Sequence, residues 1–180
     1  MGTLFLIGFM GVGKSTVGRL LARRLKRSFI DLDEQIIVRA GQTIPQIFAA
    51  VGEPGFRVLE TEVLSDNAAC RSAVVATGGG IVGRPENWQL MRSAGTIVYL
   101  HADWPTLQQR LVDLSQRPLA QDGANAQLQA LWRQRLPLYR QADFVIDTQN
   151  LTAVQVVETL IKRLEADPHL IREESVPDCV

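Results

Sequence analysis

The sequence predicts an α/β fold with a mainly parallel sheet, on three observations. Short apolar segments alternate with longer helix-like segments along its 180 residues, and such alternation builds a parallel sheet covered by helices. The apolar segments are near-continuous rather than alternating, as strands buried on both faces are. The first of them runs directly into Gly8-Phe9-Met10-Gly11-Val12-Gly13-Lys14-Ser15. This is a glycine, four residues, then Gly-Lys-Ser, the pattern of a phosphate-binding loop between a strand and a helix.

In chain order, strands are expected at 3–7, 28–32, 73–77, 96–100 and 144–146, each short, apolar and followed by polar residues or glycine. Helices are expected at 14–26, 33–40, 44–51, 54–69, 85–92, 105–114, 126–140 and 152–166. Arg23, Arg24, Lys26 and Arg27 crowd the end of the first helix, where positive charge suits the dipole. Thr43 is a candidate N-cap, and Gly52 and Gly95 suit chain reversals. The stretch 115–125 is polar, contains Arg117-Pro118 and Gly123, and is either an ordinary loop or a lid. The tail after Asp167 is charged, carries Pro168 and Pro177, and is expected to be loosely ordered. No internal repeat or low-complexity linker interrupts the chain.

Composition narrows the function classes. Hydrophobic residues make up 46% and charged residues 21%, with 19 basic against 19 acidic groups and a formal net charge of zero. No global basic surface argues for nucleic acid or membrane. Cys70 and Cys179 have no metal-ligand spacing and read as reduced thiols of a cytoplasmic protein. No positive region precedes the apolar stretch 4–12, so a signal peptide is not expected. Leu6 stands where a myristoylation site wants Ser or Thr, and no apolar run is long enough for a membrane span.

The chemistry concentrates just past the strands, where open α/β sheets bind ligands. In the phosphate-binding loop, glycines let backbone N–H groups close around an anion, and the following helix adds its positive dipole end. Lys14 supplies charge for the β- and γ-phosphates, and Ser15 a hydroxyl for Mg²⁺. After the second strand come Asp31 and Asp33, which alternate along extended backbone and so point the same way. One suits Mg²⁺, directly or through water, and the other a substrate hydroxyl; alternatively, Asp33 only caps the next helix and Asp31 is solvated. After the third strand, Gly78-Gly79-Gly80 permits close backbone approach to a ligand. Arg57 lies one turn from Glu60. Arg117 and the group Arg133, Arg135 and Arg140 match an anionic ligand such as a carboxylate or phosphate; alternatively, Arg133 and Arg140 belong to a solvated basic face. His101 and His169 are given no catalytic role, and Trp88, Trp104 and Trp132 are expected to pack.

Together these residues resemble the shikimate kinase family. The resemblance rests on the loop 8–16, Asp31-Leu32-Asp33, Gly78-Gly79-Gly80, Arg117-Pro118-Leu119 and Arg135-Leu136-Pro137-Leu138-Tyr139, and runs to about Ala166. It implies a three-layer P-loop NTPase fold, like that of nucleoside monophosphate kinases. Its five-stranded parallel sheet, order 2-3-1-4-5, is flanked by helices and carries a mobile lid. It implies one kinase domain at 1–167, with substrate-binding helices at about 33–60 and the lid at about 113–125, then a flexible tail at 168–180. The implied reaction is transfer of the ATP γ-phosphoryl group to the 3-hydroxyl of shikimate, in chorismate and aromatic amino-acid synthesis. Gly11, Val12, Gly13, Lys14, Ser15 and Thr16 would cradle the ATP phosphates, with Arg110 and Gln149 near the adenine. Ser15 and Asp31 would hold Mg²⁺. Asp33, Arg57, Gly78, Gly79, Gly80 and Arg135 would bind shikimate, with Glu60 orienting Arg57. Lys14, Asp33 and Arg117 would be catalytic, Arg117 reaching the phosphates as the lid closes. ATP and shikimate would be the partners of a cytoplasmic monomer, without nucleic acid or membrane. The alternatives are a related small-molecule kinase such as gluconate kinase and a non-catalytic nucleotide-binding protein. A non-catalytic relative would be expected to lose Lys14 or Asp33, and this chain keeps both.

Overall fold

A strand that is apolar at every position can be satisfied only inside a sheet, and β1 (Thr3–Ile7) is buried along its whole length. The computed structural model describes residues 2–68, 72–115 and 122–167. Its five strands lie in the order β2-β3-β1-β4-β5, with β2 at Ser28–Asp31, β3 at Ala73–Ala76, β4 at Gly95–His101 and β5 at Phe144–Asp147. All four pairings are parallel, and Leu4 of β1 stands opposite both Val74 of β3 and Thr96 of β4. The chain reaches β2 and β3 on one side of β1 and then crosses to β4 on the other. The carboxyl end of β1 therefore opens into the crevice where the strand order reverses.

Helices α1 (Lys14–Leu25), α2 (Leu32–Ala40), α3 (Ile44–Ala68), α4 (Pro85–Ala94), α5 (Trp104–Ser115), α6 (Asp122–Tyr139) and α7 (Ala153–Ala166) cover the sheet. α1 turns Val17, Leu21 and Ala22 inward, at the spacing of one helix face. α7 starts with a reciprocal cap between Thr152 and Gln155. Thr43 stands before α3 as expected, with the Gln46 side chain reaching back to its N–H at 2.9 Å. Trp88 and Trp104 are buried in the core.

Several boundaries differ from the sequence expectation. The two helices expected at 44–51 and 54–69 are one element broken at Gly52, whose φ of 66° and ψ of −178° no helix contains. Pro54 follows the break in the next helix's first turn, where its missing N–H costs nothing. Gly95 makes no left-handed turn. Its backbone is extended, and a Cβ there would lie 1.8 Å from the Thr3 carbonyl oxygen, so glycine is required by the approach of β1. α6 begins at Asp122, so the stretch expected as a lid is helical at both ends, 113–115 in α5 and 122–125 in α6. Arg117 at its centre, Cys70, His169 and Cys179 lie outside the described residues.

Candidate active site

The phosphate-binding loop joins β1 to α1. Gly13 caps α1 with φ of 100°, a left-handed conformation that a Cβ would strain. No acidic residue occupies the first turn of α1, so the positive end of the helix is left for an incoming anion. Lys14 Nζ donates to the Gly8 and Phe9 carbonyls at 2.8 and 3.1 Å, which folds its charge over the loop. Burial lowers the Lys14 pKa to about 8, against the carboxylates of Asp33 and Asp31, which pull it upward.

Asp31 and Asp33 meet the loop by a different route from the one expected. Asp33 is not on the strand, because α2 begins at Leu32. Asp31 is the N-cap, its Oδ1 accepting from the Asp33 N–H at 3.1 Å. Its other oxygen accepts from the Ser15 hydroxyl at 2.6 Å, and the residue is buried rather than solvated. The cap thus ties α2 to the phosphate loop and leaves the Asp33 carboxylate free of backbone. Burial and then the Asp31 charge raise the Asp33 pKa, while Lys14 and Arg57 oppose the rise. Asp33 therefore faces charged groups from both sides of the crevice.

On the far side, α3 presents an ion pair. Arg57 donates through Nη1 to Glu60 Oε2 at 2.8 Å and through Nη2 to Glu53 Oε1 at 3.0 Å. Burial alone would lower the Arg57 pKa, but the two carboxylates outweigh it and raise the value. The Glu60 side chain is 1% exposed, and among the described residues its Oε1 has no hydrogen-bond partner. Burial raises the Glu60 pKa, with Arg57 acting in the opposite sense. The glycine triplet lies against these groups. A Cβ on Gly78 would sit 2.5 Å from Glu60 Oε1 and 3.1 Å from Asp33 Oδ1, and one on Gly80 2.3 Å from Arg57 Nη1. Around Gly79 the same test finds Met10 N at 3.5 Å and Arg135 Nη1 at 3.8 Å. The fold therefore brings Lys14, Asp33, Arg57, Gly78–Gly80 and Arg135 to one crevice.

Beside the phosphate-binding loop lies a cavity of about 220 Å³ lined by Gly11, Val12, Gly13, Thr16, Val17, Arg110, Thr148, Leu151, Ala153 and Val156. Arg110 is tied to two of the other lining residues, donating to the Val12 carbonyl at 3.2 Å and the Thr148 carbonyl at 2.9 Å. Gln149 is not among the lining residues. Its N–H bonds to Asp147 at 3.0 Å, and its neighbours Thr148 and Leu151 form the wall instead. The sequence reading missed this wall because apolar side chains carry no chemical signature. It also missed Glu53, whose i,i+4 spacing to Arg57 was the available signal.

The donor set suits Mg²⁺. Ser15 Oγ and Asp31 Oδ2 are paired hard oxygens, and among the described residues there is no group of three or more His, Cys, Asp or Glu side chains that could hold a metal. Mg²⁺ characteristically takes one or two protein oxygens and completes its shell with phosphates and water.

A family model described as shikimate kinase matches residues 10–165. A curated shikimate kinase of Synechococcus elongatus is 44% identical over 96% of this chain and 90% of that protein. One of Neisseria meningitidis serogroup C is 46% identical over 91% of this chain and 96% of that protein. Among solved structures, shikimate kinase from Acinetobacter baumannii in complex with shikimate is similar with a TM-score of 0.85 and 36% identity, over 92% of this chain and 94% of that one. The Aquifex aeolicus shikimate kinase gives 0.82 and 37%, over 91% and 96%.

Proposed function

The chain belongs to the shikimate kinase family and is an ATP-dependent phosphotransferase, and on that premise we propose how its residues divide the reaction. The γ-phosphoryl group of ATP passes to the 3-hydroxyl of shikimate, giving shikimate 3-phosphate and ADP. Gly11, Val12, Gly13, Lys14, Ser15 and Thr16 receive the phosphates, and the cavity beside Arg110 takes the adenine, with Gln149 at its margin. Asp33, Arg57, Arg135 and the Gly78–Gly80 backbone hold the acceptor, the two arginines on its carboxylate. Ser15 and Asp31 hold Mg²⁺, which when bound neutralises phosphate charge. Arg117 adds charge from the lid. The protein acts as a cytoplasmic monomer without nucleic acid or membrane, a single domain at 1–167 followed by a flexible tail. No helix among the described residues is long and apolar enough to cross a membrane.

The observation that carries the reading is that Asp33, beside Gly78, lies within electrostatic reach of both Lys14 on the phosphate loop and Arg57 on α3. Phosphoryl transfer demands in-line positioning and positive charge more than covalent help. A carboxylate there can fix the acceptor hydroxyl, and its raised pKa favours taking that hydroxyl's proton. The same donor–acceptor arrangement would serve gluconate, but the family match favours shikimate. The test is a coupled assay for ADP release with Mg²⁺ and ATP, comparing shikimate, gluconate and no acceptor. Release that depends on shikimate is expected. Release with gluconate alone would overturn the acceptor assignment, and acceptor-independent release would favour a binding role.

A further inference from the structure

Tyr139 closes α6, and its side chain is fully buried. A buried phenol needs a hydrogen-bond acceptor, and most carbonyls in the core would serve. The one it uses is the Gly79 carbonyl, to which its hydroxyl donates at 2.6 Å. Its ring is clamped against Tyr99 of β4, with centroids 5.1 Å apart and planes 17° apart. The chain beyond is pinned as well: Asp143 accepts from the Ile97 N–H at 2.7 Å and donates its own N–H to the Ile97 carbonyl at 3.0 Å. The hydroxyl is therefore held in place by the sheet.

Arg135 precedes Tyr139 by four residues, so both project from one face of α6. The Arg135 guanidinium acts electrostatically on the Tyr139 hydroxyl, and its Nη1 lies 3.8 Å from a Cβ built on Gly79. Helix α6 thus brings two polar groups to the same turn. In a trans peptide the carbonyl and the next N–H point in opposite directions. Drawing the Gly79 carbonyl toward Tyr139 therefore aims the Gly80 N–H the other way, away from the phenol, while the Arg57 guanidinium lies where a Cβ on Gly80 would stand. We infer that Tyr139 is a positioning residue for the acceptor: its hydroxyl sets the orientation of the Gly79–Gly80 peptide and its register with Arg135, so that the Gly80 N–H is presented to the oxygens of a hydroxy-carboxylate substrate. This rests on the acceptor site proposed above.

Tyr139→Phe removes the hydroxyl and keeps the ring in its stack on Tyr99. The expected result is a shikimate KM raised about tenfold, the worth of one buried hydrogen bond, with the ATP KM unchanged within about twofold. The melting midpoint should fall by no more than about 5 °C. An unchanged shikimate KM would overturn the inference. So would a parallel rise in both KM values, or failure of the variant to fold, because either would make the hydroxyl merely structural. If the acceptor assignment itself is wrong, the unmodified protein will show it by lacking shikimate-dependent ADP release.

Discussion

The two halves of the site are built in opposite ways. The phosphate half comes from consecutive residues, 11–16, on one loop and the first turn of α1. The acceptor half is gathered from four places: Asp33 on α2, Arg57 and Glu60 on α3, Gly78–Gly80 after β3, and Arg135 on α6. A contiguous motif carries its geometry with it, because glycine conformations and helix dipole are local properties. The distributed half exists only when the sheet order is correct, and its charges are held by burial and by one another. Damage to the first half should therefore affect phosphate binding and transfer. Damage to the second should affect the binding and activation of the acceptor and leave nucleotide affinity intact.

The largest break on the phosphate side is Lys14→Met, expected to lower kcat by roughly 10²–10³-fold, the cost of removing one preorganised charge from a developing anion. Single-turnover measurements check it. With Lys14 intact, its lowered pKa has a visible consequence. The protonated form is the one that meets phosphate, so kcat/KM for ATP should fall as pH rises through about 8.

Next come Arg57→Ala and Arg135→Ala. Each should raise the shikimate KM, losing on the order of 2–5 kcal/mol if the charge pair is desolvated, with the fold and the ATP KM retained. Unchanged shikimate KM values in both would remove the carboxylate clamp.

The stability of Asp33→Asn sharpens the contrast further. The folded-state pKa of Asp33 is raised, so its contribution to stability is complete below the unfolded carboxylate value and declines as pH rises through the folded value. The substitution should thus raise the melting midpoint at pH 7, and the gain should vanish in acid below the ordinary carboxylate range. A midpoint lowered at pH 7 would mean that the site is not strained by this charge.

The smallest expected effect is on the nucleotide side. The Thr148 hydroxyl accepts from Arg110 at 3.2 Å and donates to the His101 carbonyl at 2.9 Å. Thr148→Val should raise the ATP KM only about threefold to tenfold, since one bond of this kind is worth about 1 kcal/mol, with the shikimate KM unmoved.

The same contrast separates what the sequence discloses from what it withholds. The strands and the phosphate loop were legible because unbroken apolar runs and a fixed glycine spacing are local signals, whereas the strand order followed only from the family resemblance. Asp31 and Asp33 were recognisable as a pair, but alternation along a strand was the wrong geometry. Only the backbone reveals that Asp31 caps α2 and so presents Asp33. The cavity wall of Leu151, Ala153 and Val156 was hidden for a different reason: ordinary apolar residues line a cavity only where α7 meets the phosphate loop. Tyr139 was visible as part of a segment, but its bond to Gly79 spans 60 positions of sequence, and no spacing rule reaches that far.

The division between the halves is tested most directly by Asp33→Asn, with turnover and nucleotide affinity measured on the same preparation. Shikimate-dependent kcat should collapse while the dissociation constant for Mg-ATP stays within about twofold of the unmodified value, because removing the base costs roughly 10²–10⁴-fold in rate and touches no phosphate. Near-normal turnover, or a loss of nucleotide affinity that matches the loss of rate, would contradict the account.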